Sequence, residues 1–204
     1  MEDLGLFPLG LVLVPGEQIP LHIFEPRYRE LIGECLDNES EFGLVLGDDQ
    51  EIRSVGTTAA VVEVLERHED GRLDIVVEGR ERFQILEETE GRSFRTAQVE
   101  ELVDTGEEPD ADEVERCLAA FRRLVETAEA ELEESEPGSE GLAYWIAARV
   151  DFSVDAKQQL LELLSERERV VRLAELLAQA TVALRFAKTA SERAAGNGRV
   201  EPPG

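Results

Sequence analysis

Few residues in this chain of 204 have the types and spacing that metal binding or catalysis requires. His22 and Glu25 form an H-x-x-E pair, but zinc needs three or four convergent donors. The other histidine, His68, falls between two predicted strands. We therefore expect no metal site, and we expect His68 to be a solvated turn residue. Carboxylates are so abundant that some pair of them is expected to lie close together by chance, so such a pair does not indicate acid–base catalysis. We expect no catalytic residues and no cofactor.

Two short motifs, FEPRY at 24–28 and EGRERF at 78–83, combine aromatic, acidic and arginine side chains. The six candidate residues are Phe24, Glu25, Arg27, Tyr28, Arg80 and Arg82. One interpretation is a structural clamp, in which Glu25 forms a partly buried bidentate ion pair with one of the arginines while both aromatic side chains of the first motif lie in the core. The alternative is a groove for extended or unfolded polypeptide. We favour the clamp, because strand-to-helix corners often need one.

The composition indicates a folded but strongly acidic protein. Hydrophobic residues make up 42% of the chain, while 46 acidic residues against 21 lysines and arginines give a net charge of -25. Such a polyanion repels phosphate backbones and anionic membranes, so we expect neither nucleic acid nor membrane as a partner. We interpret the charge as a solvated surface, and a saline environment stays open as its cause.

The cysteines and the N-terminus bear on localisation. Cys35 and Cys117 fall on apolar helix faces, which is typical of small core residues in a reducing compartment. The chain starts with Met1-Glu2-Asp3, acidic where a secretory signal would be basic. No apolar stretch approaches the roughly 20 residues that span a bilayer. We expect a soluble, cytoplasmic protein.

The first half of the chain predicts short strands and one helix. Apolar residues alternate from Phe7 to Leu13 before the Pro15-Gly16 turn, and a second strand follows from Pro20 to Phe24. Pro8 and Pro20 lack a backbone N–H, so their strands should begin at or run along a sheet edge. A helix begins at Pro26. Further strands are predicted at 42–46, 57–65, 73–77, 83–86 and 94–102, a pattern that indicates a curved sheet or pseudo-barrel.

The second half predicts helices, because the hydrophobic period changes to about 3.6 after residue 110. The predicted N-terminal caps are Asp110 with Glu113, Ser139, Ser153, and Ser165 with Glu168. Pro137-Gly138 should end the first of these helices. We expect an α+β protein with a β-barrel subdomain at 1–105, a helical bundle at 106–190 and a disordered tail at 191–204.

The order of motifs resembles the N-terminal substrate-binding domain of the Lon proteases over residues 4–187. The matching segments are Phe7-Pro8-Leu9, Val12-Leu13, Pro15-Gly16, Pro20-Leu21, Phe24-Glu25, Arg27-Tyr28, Gly56-Thr57, Val76-Val77, Gly79, Arg82-Phe83, Gln158, Leu161, Leu164 and residues 166–172. The resemblance implies a PUA-like β-barrel followed by a helical bundle. It also implies recognition of polypeptide.

Lon proteases couple this domain to an ATPase and a serine–lysine protease domain, and we find the motifs of neither. No GxxxxGK[ST] phosphate loop occurs, and Lys157 and Lys188 lie in no nucleophile motif. We expect a stand-alone, non-enzymatic module that binds unfolded or exposed apolar segments, acting alone or as an adaptor in proteolysis or quality control. A separate ATPase or protease is a further candidate partner. A minimal ATP-independent hydrolase and an RNA-binding protein stay open as alternatives, and the sequence predicts neither the client nor the oligomeric state.

Overall fold

The computed structural model describes residues 3–131 and 141–197, with side chains described up to residue 190. The described elements are β1 (Leu4–Leu9), β2 (Gln18–Ile23), α1 (Pro26–Asn38), β3 (Phe42–Gly47), β4 (Ile52–Arg67), β5 (Leu73–Thr89), β6 (Thr96–Glu101), α2 (Ala111–Ala128), α3 (Leu142–Ala147), α4 (Val154–Glu162) and α5 (Glu166–Asn197). The strands precede the C-terminal helices, so the predicted α+β class is confirmed.

The strands form one sheet that closes on itself. Their order is β2-β5-β4-β3-β1-β6, and β6 pairs with β5 as well as with β1. β5 makes this possible because its first half pairs with β2 and its second half with β6. The predicted pseudo-barrel is therefore confirmed. β1 and β3 run parallel, and α1 forms part of the crossover that a parallel pair requires.

β4 and β5 are longer than the sequence predicts, with 16 and 17 residues. They stay continuous because bulges bend them without ending them, and β4 carries an extra residue at Val62 and another at Leu65. Gly79 lies at a close approach of two segments. A Cβ atom there would lie 2.4 Å from the carbonyl oxygen of Val14, so only glycine fits without movement.

The core of the barrel lies under α1. Tyr28, Leu31, Ile32 and Cys35 are buried on one face of this helix, as the apolar spacing predicts. The rings of Tyr28 and Phe7 stack with their centroids 4.0 Å apart. Other buried members of the cluster are Leu13, Ile23, Phe42, Leu44, Ala59, Leu73, Ile75, Val77 and Phe94. Burial of these side chains is what holds α1 on the sheet.

The helices of the second half begin at the predicted caps where these are described. Asp110 Oδ1 accepts from the backbone N–H of Glu113 at 2.8 Å, and Glu113 Oε2 accepts from the N–H of Asp110 at 3.0 Å, which confirms the capping box. Ser153 Oγ accepts from the N–H of Ala156 at 3.3 Å. α2 ends at Ala128 with Glu129 in the left-handed conformation, before Pro137-Gly138. That pair and Ser139 lie outside the described residues.

The chain divides into two compact units, and each consists of two segments. The first contains the sheet and α1 up to Gly106, together with Ala143–Ser165, while the second contains α2 and α5. This division differs from the predicted subdomains at 1–105 and 106–190, because α4 belongs with the sheet. α5 continues to Asn197, so the helix includes the first residues of the predicted tail, and 198–204 lie outside the described residues.

Candidate functional site

The first candidate motif lies where β2 leads into α1. Ile23 is buried at the end of β2, so the next side chain along the chain, Phe24, points outward and is 60% exposed. Tyr28, one turn into α1, is 5% exposed. The expectation that both aromatic residues lie in the core is therefore correct for Tyr28 and wrong for Phe24.

Arg27 ties the start of α1 to the turn after β3. Its guanidinium donates to Glu25 Oε2 at 3.0 Å and forms an ion pair with Asp49 at 2.8 Å. The hydrogen bond with Asp49 raises the pKa of Arg27, and the same bond lowers the pKa of Asp49. Among the described residues, the Glu25 carboxylate pairs with Arg27 at its own helix start, and one link from α1 to the barrel runs from Arg27 to Asp49.

Arg80 and Arg82 of the second motif have different environments. Arg80 pairs with Glu78 at 2.6 Å on the surface, whereas Arg82 is 5% exposed. The Arg82 guanidinium donates to four acceptors: the carbonyls of Leu161 at 2.8 Å, Leu163 at 2.6 Å and Leu102 at 3.1 Å, and the carboxylate of Asp104. A buried clamp thus exists, but it holds the end of α4 and does not use Glu25. The six candidate residues do not converge on one site.

Two α4 side chains complete the attachment of this helix to the sheet. Lys157 Nζ donates to Glu17 Oε1 at 2.6 Å, and both side chains are largely buried. Gln158 Nε2 donates to the carbonyl of Val55 at 3.2 Å. Lys157 is therefore held in an ion pair, which gives it a structural role. Sequence reasoning missed the pairing because 140 residues separate the two partners.

β2 is an edge of the sheet in the described part of the chain. It pairs only with β5, and its outward positions include Pro20 and His22. The position of Pro20 on an edge strand confirms the prediction from its missing N–H. Pro8 lies instead in β1, between β3 and β6, although the pairing with β6 reaches only the first two residues of β1. With exposed Phe24 at its end, the β2 edge offers both backbone hydrogen-bonding groups and an aromatic contact.

A groove of about 870 Å³ lies elsewhere in the same unit. Leu4, Leu31 and Phe94 contribute apolar surface, while Glu34 and Arg92 form an ion pair at its rim. The Arg92 guanidinium lies 4.8 Å from the centroid of the Phe94 ring. Its lining comes from α1, β1, β6 and the loop before β6, which is why no single motif indicated it.

Both histidines of the chain meet at one carboxylate. His22 Nδ1 lies 2.5 Å from Asp74 Oδ1, and His68 Nε2 lies 2.7 Å from Asp74 Oδ2. These hydrogen bonds lower the pKa of Asp74. His68 begins the predicted turn, but its side chain is only 24% exposed and is hydrogen-bonded to Asp74, so the prediction of a solvated side chain is wrong. Nothing in the sequence indicated that residues 22 and 68 come together.

The model of the ATP-dependent protease La (LON) substrate-binding domain matches residues 3–179. This chain belongs to that family. The resemblance seen in the order of its motifs is thereby confirmed.

Curated relatives and solved structures agree with this family. The chain is 28% identical to a Lon protease of Paraburkholderia phytofirmans over 96% of its own length, and 31% identical to one of Anaeromyxobacter dehalogenans over 85%. It spans about a quarter of the length of these relatives, 26% and 23%.

Two solved structures share the fold. One is a Lon N-terminal domain protein from Xanthomonas campestris, with a TM-score of 0.65, 24% identity, and coverage of 85% of this chain and 97% of that one. The other is the N-terminal domain of a Mycobacterium avium complex Lon protease, with a TM-score of 0.65, 19% identity, and coverage of 89% and 98%. What is matched is thus the substrate-binding domain of Lon. Among the described helices, none has the length and apolar composition needed to span a bilayer.

Proposed function

We propose that this protein recognises exposed apolar segments of unfolded or misfolded polypeptides without chemically changing them. The observation that carries the proposal is the open edge of β2, which ends in the 60% exposed side chain of Phe24, in a chain of the Lon substrate-binding family. Acting as an adaptor, it would present such segments to a separate ATPase or protease. The proposal places the protein in the cytoplasm, in keeping with two buried free cysteines.

The proposed mode of binding is addition of an extended segment to β2. An edge strand presents alternate N–H and C=O groups that a second strand can pair with, so affinity does not depend on one client sequence. Pro20 removes one donor, which restricts the added strand to the remaining positions and protects the edge against pairing between copies. Phe24 then contacts an apolar client side chain. The net charge of -25 favours basic or apolar clients.

Binding of fluorescently labelled, unfolded casein tests the proposal, with anisotropy measured at several salt concentrations, with and without ATP. We expect saturable binding that does not respond to ATP. Phe24→Ala should weaken it about tenfold, since burial of a phenylalanine side chain contributes about 1.5–3 kcal/mol. The matched control is Leu86→Ala, which removes another exposed apolar side chain, 53% exposed, from β5. Absence of binding at every salt concentration, or equal losses in the two variants, would refute the proposal.

The same samples address the two alternatives. A hydrolase would shorten the casein during incubation, which gel electrophoresis detects, and intact casein is the expected result. An RNA-binding protein would shift a labelled RNA in a native gel at low salt. We expect no shift, because a net charge of -25 repels the phosphate backbone.

A further inference from the structure

We propose that His22, His68 and Asp74 form a binding site for a divalent transition-metal ion of the Zn²⁺ class. One donor atom from each residue, two imidazole nitrogens and a carboxylate oxygen, lies within 4.8 Å of the others. Two histidines and one carboxylate are a donor set that zinc and its neighbours in the first transition series accept. His22 lies on β2, the strand proposed to pair with a client, and its ring centroid is 5.9 Å from that of Phe24. The metal proposal nevertheless does not rest on polypeptide recognition, because its test uses the metal ion alone.

The backbone holds the three donors together. His22 and Asp74 are direct register partners on the antiparallel strands β2 and β5, so their side chains project on the same face. His68 stands at the start of the β4–β5 turn, where its N–H donates to the carbonyl of Arg72 and its carbonyl accepts from Gly71. A fixed cross-strand pair and a fixed turn bring the donors together before any ion binds, which lowers the ordering cost of binding.

The distances fit one shared ion after small side-chain rotations. Ligands about 2.0–2.1 Å from a tetrahedral zinc lie about 3.4 Å apart. The three donors lie within 4.8 Å of one another, and the side chains are 46%, 24% and 31% exposed for His22, His68 and Asp74. They have room to close around an ion, and a site with three protein ligands leaves a coordination position to water or to a group from outside.

The surroundings support a bound cation. The Glu66 carboxylate lies 3.5 Å from His68 Nδ1, the ring nitrogen that does not face Asp74, which is where metal-binding histidines commonly have a carboxylate partner. Two nearby arginines contact Asp70: Arg72 pairs with its carboxylate at 2.7 Å, and Arg29 donates to its carbonyl at 2.6 Å. In the described part of the chain, the side-chain hydrogen bonds of Asp74 are those with the two imidazoles.

Titration calorimetry with Zn²⁺ on the full chain tests the proposal, in buffer with excess Mg²⁺ to occupy weak carboxylate sites. Mg²⁺ prefers oxygen ligands, so it does not compete well for imidazole. We expect one saturable Zn²⁺ site, which His22→Gln and His68→Gln each weaken at least tenfold. Asp70→Asn is the matched control, because it removes an equal charge from the same turn without removing a proposed ligand, and it should leave the affinity within about twofold.

Imidazole nitrogen NMR gives a second readout that does not depend on a variant. The chain has only two histidines, so every ring-nitrogen signal reports on this site. We expect both residues to shift together as one equivalent of Zn²⁺ is added. Unchanged imidazole signals, or Zn²⁺ binding that persists in the doubly substituted His22→Gln, His68→Gln chain, would overturn the proposal.

Discussion

Arg80 and Arg82 lie two positions apart on β5, yet only one of them is part of the buried structure. Arg80 forms a surface ion pair with Glu78, 43% and 21% exposed, whereas the Arg82 guanidinium is buried among three carbonyls and the carboxylate of Asp104. Exposed pairs contribute about 0–1 kcal/mol, while removing one member of a buried hydrogen-bonded network leaves several groups unsatisfied. The ladder between β4 and β5 is irregular from Gly79 to Arg82, so the regular alternation of the strand is interrupted there and the two arginines differ in burial. The same residue type therefore differs in its contribution according to how deeply it is buried.

Replacing Arg82 should destabilise the protein strongly. Arg82→Leu leaves the carbonyls of Leu161 and Leu163 and the carboxylate of Asp104 without this donor, and we expect a loss of about 3 kcal/mol of unfolding free energy. Urea unfolding followed by the fluorescence of Trp145, the single tryptophan, measures it. Arg80→Leu is the control and should cost less than about 1 kcal/mol. Equal losses in the two variants would contradict the assignment of Arg82 as the clamp.

The two cysteines should be unreactive until the protein unfolds. Both are free and buried, and burial raises the pKa of Cys35 and raises that of Cys117 to about 12. Because the thiolate is the nucleophile, alkylation by iodoacetamide at pH 8 should be negligible in native buffer and complete in urea. Mass spectrometry of timed samples measures it. Rapid labelling of either residue in the native protein would contradict its burial.

At the scale of elements, the Glu113 carboxylate joins α2 to α5, because it accepts hydrogen bonds from Asp110 and from Arg167. Glu113 completes the capping box of α2 and also accepts from Nε and Nη2 of Arg167 in α5 at 3.0–3.1 Å. The hydrogen bonds from Arg167, the largest cause, and from Asp110 lower the pKa of Glu113 below its ordinary value of 4.5. A carboxylate whose pKa is lower in the folded state stabilises that state while ionised.

The contribution of Glu113 should disappear in acid. It is fully present above the unfolded value of 4.5 and is lost as the pH falls through the lower folded pKa. We therefore expect Glu113→Gln to be less stable than the unmodified chain at pH 7, with the difference shrinking as the pH decreases below about 4.5. Urea unfolding at a series of pH values measures both. The comparison variant is Glu115→Gln, on the exposed side of α2. A difference for Glu113→Gln that stays constant into acid would contradict the linkage.

The sequence predicted the elements whose signals are local. Capping pairs, the apolar face of α1 and the edge position of the strand that contains Pro20 each depend on residues a few positions apart. A short stretch of sequence is therefore enough to predict them. For β5 the sequence left open whether residues 78–80 link two strands or form a bulge within one, because glycine suits both, and the structure has one continuous strand with an irregular ladder there.

Contacts between distant residues left no such signal. The partners of Arg82 in α4 lie 79 and 81 residues away, and the meeting of His22 with His68 depends on the register of β2 and β5. Only the order of motifs, through the resemblance to the Lon family, indicated how these parts combine. The six candidate residues were grouped by motif, and the sequence carried no signal for their distribution among surface, core and clamp.

At the scale of the whole molecule, repulsion among acidic groups opposes the compact state. A net charge of -25 leaves many carboxylates without a cation, whereas the Lys157–Glu17 and Arg169–Glu166 pairs are buried and little affected by salt. Salt shortens the range of the repulsion, since the Debye length falls from about 30 Å at 0.01 M to about 8 Å at 0.15 M.

Added salt should therefore stabilise the protein. Between about 0.01 and 0.15 M NaCl we expect the thermal midpoint to rise by roughly 3 °C, which corresponds to about 1 kcal/mol for a chain of this size. Thermal unfolding followed by circular dichroism measures it. Potassium chloride at matched ionic strength is the control, because screening depends on ionic strength and not on the cation. A midpoint that falls with salt would show that surface ion pairs outweigh the repulsion.

The first compact unit consists of two separate segments, residues up to 106 and residues 143–165. During synthesis the first segment is therefore complete before the second exists. The ribosome finishes the last strand, β6, long before α4 supplies the carbonyl partners of Arg82 and the lysine partner of Glu17. At about 5–20 residues per second, the roughly 60 residues between the end of β6 and these carbonyls take about 3–12 s to translate. For that interval Arg82 has only two of its four acceptors, the carbonyl of Leu102 and the carboxylate of Asp104. A fragment that stops at residue 106 would keep it in that condition permanently.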